Sequence, residues 1–378
     1  MKISYVTRYD ASDIHNWSGL GYSIAKMLEN QDINIQYIGN LETKINFITQ
    51  LKGKICSRIL RKKFDKTKTP FVAKKYAEQV KARLSADTDI VFSVGSIATA
   101  MLETKRPKVF YTDATFVGML DFYDSFKNFC PLSIKYGNQL ENRALHSSDL
   151  VIYSSDWAAK TAVDNYGVNE DKIKVVPFGA NMTGNKDLND IKDIVNRRSE
   201  KDLNLLFIGG DWKRKGGSAA VATAQQLNDL GLKTKLHIVG IKEMPLENIP
   251  DFVVHHGYIS KRTKEGMDKM ERLFMSSHFL ILPTIADCTP VVYSEANAYG
   301  LPALSTNVGG ISTIIKDDIN GKKFAPSTSP VAWSSYIADT FADRAKYNEM
   351  CLSSFNEYES RLNWNVAGKT IMKMMREL

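Results

Sequence analysis

Two Rossmann-like α/β domains facing a cleft are the fold this sequence predicts, and three observations predict it. Apolar runs of strand length alternate with helix-patterned stretches in two similar blocks. Between the blocks lies a polar stretch, Asn181 to Glu200, that reads as a linker. The chain has 378 residues, more than one core usually supports. The expected boundaries are 1–182 for the first domain and 183–359 for the second, with residues 360–378 returning to the first.

The first block opens with a strand, Lys2–Val6, that runs into Thr7-Arg-Tyr-Asp10. A loop bearing Gly19 and Gly21 then leads to the periodic run Ile24–Leu28, and glycines in such a turn let backbone approach a ligand closely. Asn34–Ile38 is the second strand. Asp89–Val94 is the third, ending at Gly95-Ser96, with Ala98–Leu102 helical behind it. Lys108–Thr112 follows and ends at Asp113, which is either a turn cap or a site residue. Glu141–Leu145 is helical, Leu150–Ser154 is a strand, and a serine-capped helix covers Ser155–Tyr166. Lys174-Val-Val-Pro-Phe-Gly179 closes the block.

The second block begins with Asn204–Ile208 and the turn Gly209-Gly-Asp-Trp-Lys213-Arg214-Lys215-Gly216-Gly217. Ser218 is the expected cap of a helix over Ala219–Leu230. Three consecutive cations between a strand end and a helix start can neutralise a pyrophosphate. The turn is not a Walker loop, because no Gly-Lys-Ser/Thr occurs. Lys235–Val239 and Phe252–His255 are strands, the latter followed by Gly257-Tyr258. Phe279–Pro283 and Ala303–Val308 read as buried parallel strands. Between them a short helix has Thr289 as N-cap, Pro290 at its first position and Gly300 as its stop. Asp287 thus reaches the mouth of a helix N-terminus, with Glu295 one to two turns inside. Free N–H groups there suit phosphate and carboxylates suit polyol hydroxyls. Gly309-Gly310 opens another helix, 329–350 is helical, and Trp364–Met375 is the terminal helix.

Composition is that of an ordinary soluble globular protein, with 43% hydrophobic residues. The cysteines at 56, 130, 288 and 351 are too scattered for a zinc site or a disulfide framework, which fits a reducing, cytoplasmic setting. No leader or membrane-spanning run is read, since the chain enters a strand directly. The only Asp-x-Asp, Asp87-Thr-Asp89, precedes a strand and reads as turn chemistry. No metal and no cofactor is expected.

Asp287, seven residues, Glu295-Ala, then Gly300-Leu-Pro resembles the signature of family 4 retaining glycosyltransferases, which have the GT-B fold. The resemblance spans nearly the whole chain and is strongest over 140–182 and 204–324. It implies a hexosyltransferase that takes a nucleotide diphosphosugar as donor and a glycan, lipid-linked or other hydroxyl acceptor, with retention and without metal. It also implies roles in surface polysaccharide or glycoconjugate synthesis. By that likeness Lys215 and Arg214 face the leaving diphosphate, Asp287 the donor sugar and Glu295 the ribose. Gly19, Gly21, Thr289, Val291, Val292, Gly309 and Gly310 line the donor, and Tyr258 and Ile259 lie by the base. Asp113 stands at or beside the position where family members place a histidine. Asp287 replaces the usual Glu, and Cys288 and Pro290 replace the usual small glycines. Two alternatives remain open: a nucleotide-sugar epimerase of similar fold, and a non-catalytic nucleotide-sugar-binding protein.

Residues 51–83 hold twelve Lys or Arg against Asp65 and Glu78, a net +10 where the whole chain carries +8. Basic character is therefore local. Ile48, Leu51, Ile55 and Ile59 fall on one helical stripe flanked by Lys52, Arg58 and Lys62. Nucleic acid is not expected, because no aromatic or helix-turn-helix companion accompanies the charge. An anionic membrane surface is the expected partner, which would place the protein peripherally on the inner face.

Overall fold

The structure, a computed structural model, describes residues 1–182 and 186–378. Its chain forms two compact units, residues 1–177 with 367–378, and residues 178–366.

The first unit is built on six strands: β1 (Lys2–Val6), β2 (Asn34–Ile38), β3 (Ile90–Ser93), β4 (Lys108–Thr112), β5 (Leu150–Tyr153) and β6 (Ile173–Val175). They pair in parallel in the order β2-β1-β3-β4-β5-β6. β3, β4 and β5 are buried at every residue, because helices cover both sheet faces, and this is why they read as unbroken apolar runs. Tyr5 pairs in register with Phe92, and their rings stack 5.8 Å apart. Residues 367–378, from the helix Trp364–Met375, belong to this unit and bury Ile371, Met372 and Met375.

The second unit repeats the plan with β7 (Leu203–Ile208), β8 (Thr234–Val239), β9 (Val253–His255), β10 (Phe279–Leu282), β11 (Ala303–Thr306) and β12 (Gly321–Phe324). Its parallel order is β12-β11-β10-β7-β8-β9. The winding direction therefore reverses between β7 and β10, which separates the loops after those two strands and opens a crevice at their carboxyl ends.

Several expectations need correction. The stretch 181–200 is not simply a linker. It contains the helix Leu188–Arg197, with Asp187 and Asp190 forming a capping box and Ile191, Ile194 and Val195 buried. Only its residues 183–185 lie outside the described chain. Residues 97–101 form a turn, not a helix, because the bonds from Thr99 and Ala100 back to Ser96 do not propagate. The expected helix at 329–350 is two, Pro330–Ala342 and Arg344–Arg361, since Asp343 leaves the helical conformation and caps the second.

The basic region forms two helices, Phe47–Arg58 and Pro70–Arg83. The first buries only Thr49, Gly53 and Cys56. Gly53 packs where a methyl group would meet the Lys66 side chain at 2.8 Å. Ile48, Leu51, Ile55 and Ile59 are all exposed, as are Phe47 and Leu60. Lys52, beside that stripe, donates from Nζ to Tyr136 Oη at 2.8 Å.

Candidate functional site

The β7 loop ends in a four-residue helix, Trp212–Lys215, capped by Asp211, which accepts from the Arg214 N–H at 3.0 Å. Gly216 follows at φ +77°, where any side chain would strike the Pro283 carbonyl 2.0 Å away. Only glycine lets this loop close onto the end of β10. The next helix, Gly217–Asp229, starts on Gly216, so Ser218 is not its cap. Instead, Ser218 Oγ accepts from Trp212 Nε1.

The β10 loop is tied to the same turn. Ile285 N–H and Thr284 Oγ1 both donate to the Arg214 carbonyl, at 2.8 and 2.9 Å, and Arg214 Nη1 donates to the Ala286 carbonyl. At the centre, Asp287 is only 6% exposed. Its Oδ2 accepts from Lys215 Nζ at 2.7 Å and lies 3.0 Å from Thr284 Oγ1, and its Oδ1 lies 3.2 Å from Arg214 Nη1. Two cations and one carboxylate thus meet at the switch between β7 and β10. Lysine and arginine cations are the groups best suited to phosphate oxygens. The sequence reading set Lys215 and Arg214 on the diphosphate and Asp287 on the sugar, and the structure brings all three into one bonded cluster.

The helix after Asp287 spans Val291–Asn297, one residue shorter at its start than expected. Pro290 occupies the N-cap and no side chain caps it, so Thr289 does not play that part. Thr289 is buried, whereas Val291 and Val292 are half-buried. Glu295 is 2% exposed, and both its oxygens accept from Lys261 Nζ at 2.6 Å. Sequence reading missed Lys261. Nothing in the sequence links a loop lysine to a helical glutamate 34 positions away. Each carboxylate oxygen retains a second lone pair, so Glu295 can still accept from vicinal hydroxyls.

Tyr258 is 65% exposed, while the Ile259 side chain belongs to the core and offers a ligand only its backbone. Gly309, at φ +54°, and Gly310 precede the helix Ile311–Ile314, and the Gly310 N–H meets the Asp287 carbonyl at 3.4 Å. In the first unit, Gly19 adopts φ +81° at the start of the helix Leu20–Glu29. Gly21 lies inside that helix, where a methyl would collide with Tyr9 Oη at 2.5 Å. Asp113 sits on the turn after β4, and the cap of the following helix is Thr115, not Asp113. Among the described residues, no three His, Cys, Asp or Glu side chains group as metal ligands would. Asp87 accepts instead from Lys2 Nζ at 2.7 Å.

Residues 202–343 match the family model "Glycosyl transferases group 1". That stretch contains the whole Lys215–Asp287–Glu295 arrangement. Across its full length the chain superposes on sucrose-phosphate synthase from Thermosynechococcus elongatus, covering 98% of it, with a TM-score of 0.69 at 12% identity. It superposes equally fully on Anabaena HepE, solved in complex with UDP and glucose, with a TM-score of 0.62 at 15% identity. The fold is GT-B. A D-inositol 3-phosphate glycosyltransferase from Nocardia farcinica is 24% identical over 236 residues, 59% of this chain and 51% of the relative. The chain spans 51–59% of the length of the first curated relatives it matches.

Proposed function

We propose that this GT-B protein is a retaining, metal-independent glycosyltransferase. It moves a hexose from a nucleotide diphosphosugar to a hydroxyl acceptor, either a glycan or a lipid-linked sugar. The observation that carries this reading is the buried Lys215–Asp287–Arg214 cluster at the β7/β10 switch. The positive charges of Lys215 and Arg214 stabilise the diphosphate as it leaves, so the main contribution is electrostatic and positional. Asp287, held rigidly by three side chains, orients the sugar, and Glu295 accepts from the ribose hydroxyls. Asp113 serves transfer in the first unit, with Gly19 and Gly21 beside the donor. A phosphate-site lysine after β7 and a ribose-site glutamate on the helix after β10 fit this donor class better than a sugar alone.

The test is release of nucleoside diphosphate from a panel of UDP- and GDP-sugars, with and without hydroxyl acceptors. Acceptor-dependent release is expected. Conversion of the donor without any acceptor would indicate an epimerase, and tight binding without turnover a binding protein. Glu295→Ala is expected to weaken donor binding by about 1.5–3 kcal/mol, the range for bonds to a charged group. Folding should change less, because Lys261 is partly exposed and can return to water. An unchanged Michaelis constant for the donor, in a folded variant, would remove Glu295 from the ribose site.

The acceptor reading extends to an anionic membrane surface docking on residues 47–63. Six exposed apolar side chains and a dense set of cations support it. Each cation near such a surface contributes about 1 kcal/mol. Salt-sensitive co-sedimentation with anionic but not neutral liposomes is expected, and reversing Arg58, Arg61, Lys62 and Lys63 to Glu should abolish it. Equal recovery with neutral liposomes would leave a soluble acceptor. No helix among the described residues is long and apolar enough to cross a membrane.

A further inference from the structure

A cavity of a different character lies wholly within the first unit. At the carboxyl ends of β3 and β4 this cavity of about 150 Å³ is lined by Lys68, Ser96, Thr112, Phe116, Leu140 and Glu141, among others. Gly95, at φ +95°, turns the chain after β3 and brings Ser96 to its rim. Gly137 has no side chain because the Phe116 ring fills its place, 2.2 Å from where a Cβ would stand. The packing that forms this cavity therefore depends on close approach between the helix Pro131–Ser147 and the loop after β4.

Glu141 is the group that packing alone does not explain. It is 4% exposed, and its Oε2 accepts from Ser96 Oγ at 2.5 Å. Its Oε1 is buried with no hydrogen-bond partner. Burial pushes its pKa up to about 7, against the pull of the Ser96 hydroxyl and the Lys68 charge. Lys68 lines the same cavity but pairs with Asp65 at 3.5 Å, and its ammonium lies over the Phe126 and Phe116 rings. Tyr153 and Tyr166 are the other titratable groups close enough to feel Glu141, and Tyr153 Oη is likewise buried and unpartnered. An orphaned buried polar atom is costly, and Glu141 Oε1 at the cavity calls for a group that can donate to it.

We propose that this cavity is a subsite for a neutral hydroxylated group, a sugar or polyol ring edge bound through Glu141, Ser96 and Lys68. Naming that group as part of the acceptor rests on the transferase reading. The chemistry selects it. A hydroxyl donates to the carboxylate and accepts from the carboxylic acid, so it suits Glu141 in either protonation state. A phosphate would be repelled by the carboxylate, and Phe116 and Leu140 supply apolar surface for a ring face. The volume equals roughly five waters at about 30 Å³ each, enough for a ring edge and too small for a nucleotide.

The experiment is a thermal-shift titration of the full chain with methyl glycosides and linear polyols, and separately with nucleotide sugars. At least one neutral probe should stabilise the unchanged protein. Glu141→Gln, which keeps the shape and the Ser96 bond, and Lys68→Met should each weaken that probe by about tenfold or more. Both should leave nucleotide-sugar binding within twofold. If Glu141→Gln does not fold, the partly exposed Lys68→Met carries the test. Nucleotide sugars binding while no neutral probe does would overturn the subsite and spare the transferase reading. Neutral probes binding while no nucleotide sugar does would spare the subsite and remove the acceptor assignment. Probe binding unaffected by either substitution would place the ligand elsewhere and overturn the proposal.

Discussion

Asp287→Asn is expected to bind free nucleoside diphosphate more tightly than the unchanged protein while losing turnover. Asp287 neutralises one of two adjacent cations, Lys215 at 2.7 Å and Arg214 at 3.2 Å. Removing one partner from a buried ion pair leaves the other charge uncompensated, at a cost of about 3–5 kcal/mol when burial is complete. Arg214 retains 27% side-chain exposure, so solvent screening reduces its share well below that range. The free variant should therefore melt lower, and an arriving diphosphate should restore the lost neutrality. Transfer should fall by about 1.5–3 kcal/mol in kcat/KM if the carboxylate holds the sugar. Calorimetric titration and steady-state kinetics read the two effects separately. Weaker diphosphate binding in Asp287→Asn would show that the carboxylate holds the cations in place more than it neutralises them.

Arg198→Met should cost about 3–5 kcal/mol of stability in the second unit, measured by urea denaturation. Arg198 is 3% exposed and, among the described residues, pairs with no carboxylate. Its guanidinium donates to the carbonyls of Met275, Gly300 and Tyr299 and to Tyr347 Oη, at 2.8–3.1 Å. Those carbonyls lie at or beyond the C-terminal ends of two helices, where backbone acceptors have no partner within the helix. Methionine would fill the volume and leave several acceptors orphaned at about 1–3 kcal/mol each, partly offset by relaxation. This one side chain ties the carbonyls just past the Glu295 helix to the end of the helix Lys264–Ser276. A loss under about 1 kcal/mol would mean that water or a neighbour replaces it.

The sheets were legible in the sequence because strands buried on both faces leave continuous apolar runs, as at Phe279–Leu282 and Leu150–Tyr153. The cation-rich turn Lys213–Lys215 marked the loop after β7 at the switch. Partnership was not legible. Lys261 and Glu295 meet across 34 residues, and Ser96 and Glu141 across 45, through packing that local pattern does not encode. Arg198 looked like linker charge because the stretch around it is polar, yet the fold turns it inward. The short strand Gly321–Phe324 escaped notice because it contains two lysines and only one large apolar residue. The stripe on Phe47–Arg58 was visible from its spacing. Its exposure, including Phe47, required the structure.

The most direct measurement is calorimetric titration of UDP and GDP into the unchanged protein and into Lys215→Met. The account predicts that one of them binds and that the variant weakens it by about 1.5–3 kcal/mol, because a phosphate-facing cation is gone. It also predicts that the variant's melting temperature without ligand falls, since Asp287 loses a partner at 2.7 Å. Failure of both nucleotides to bind, or equal binding by Lys215→Met, would contradict a diphosphate site at the β7/β10 switch.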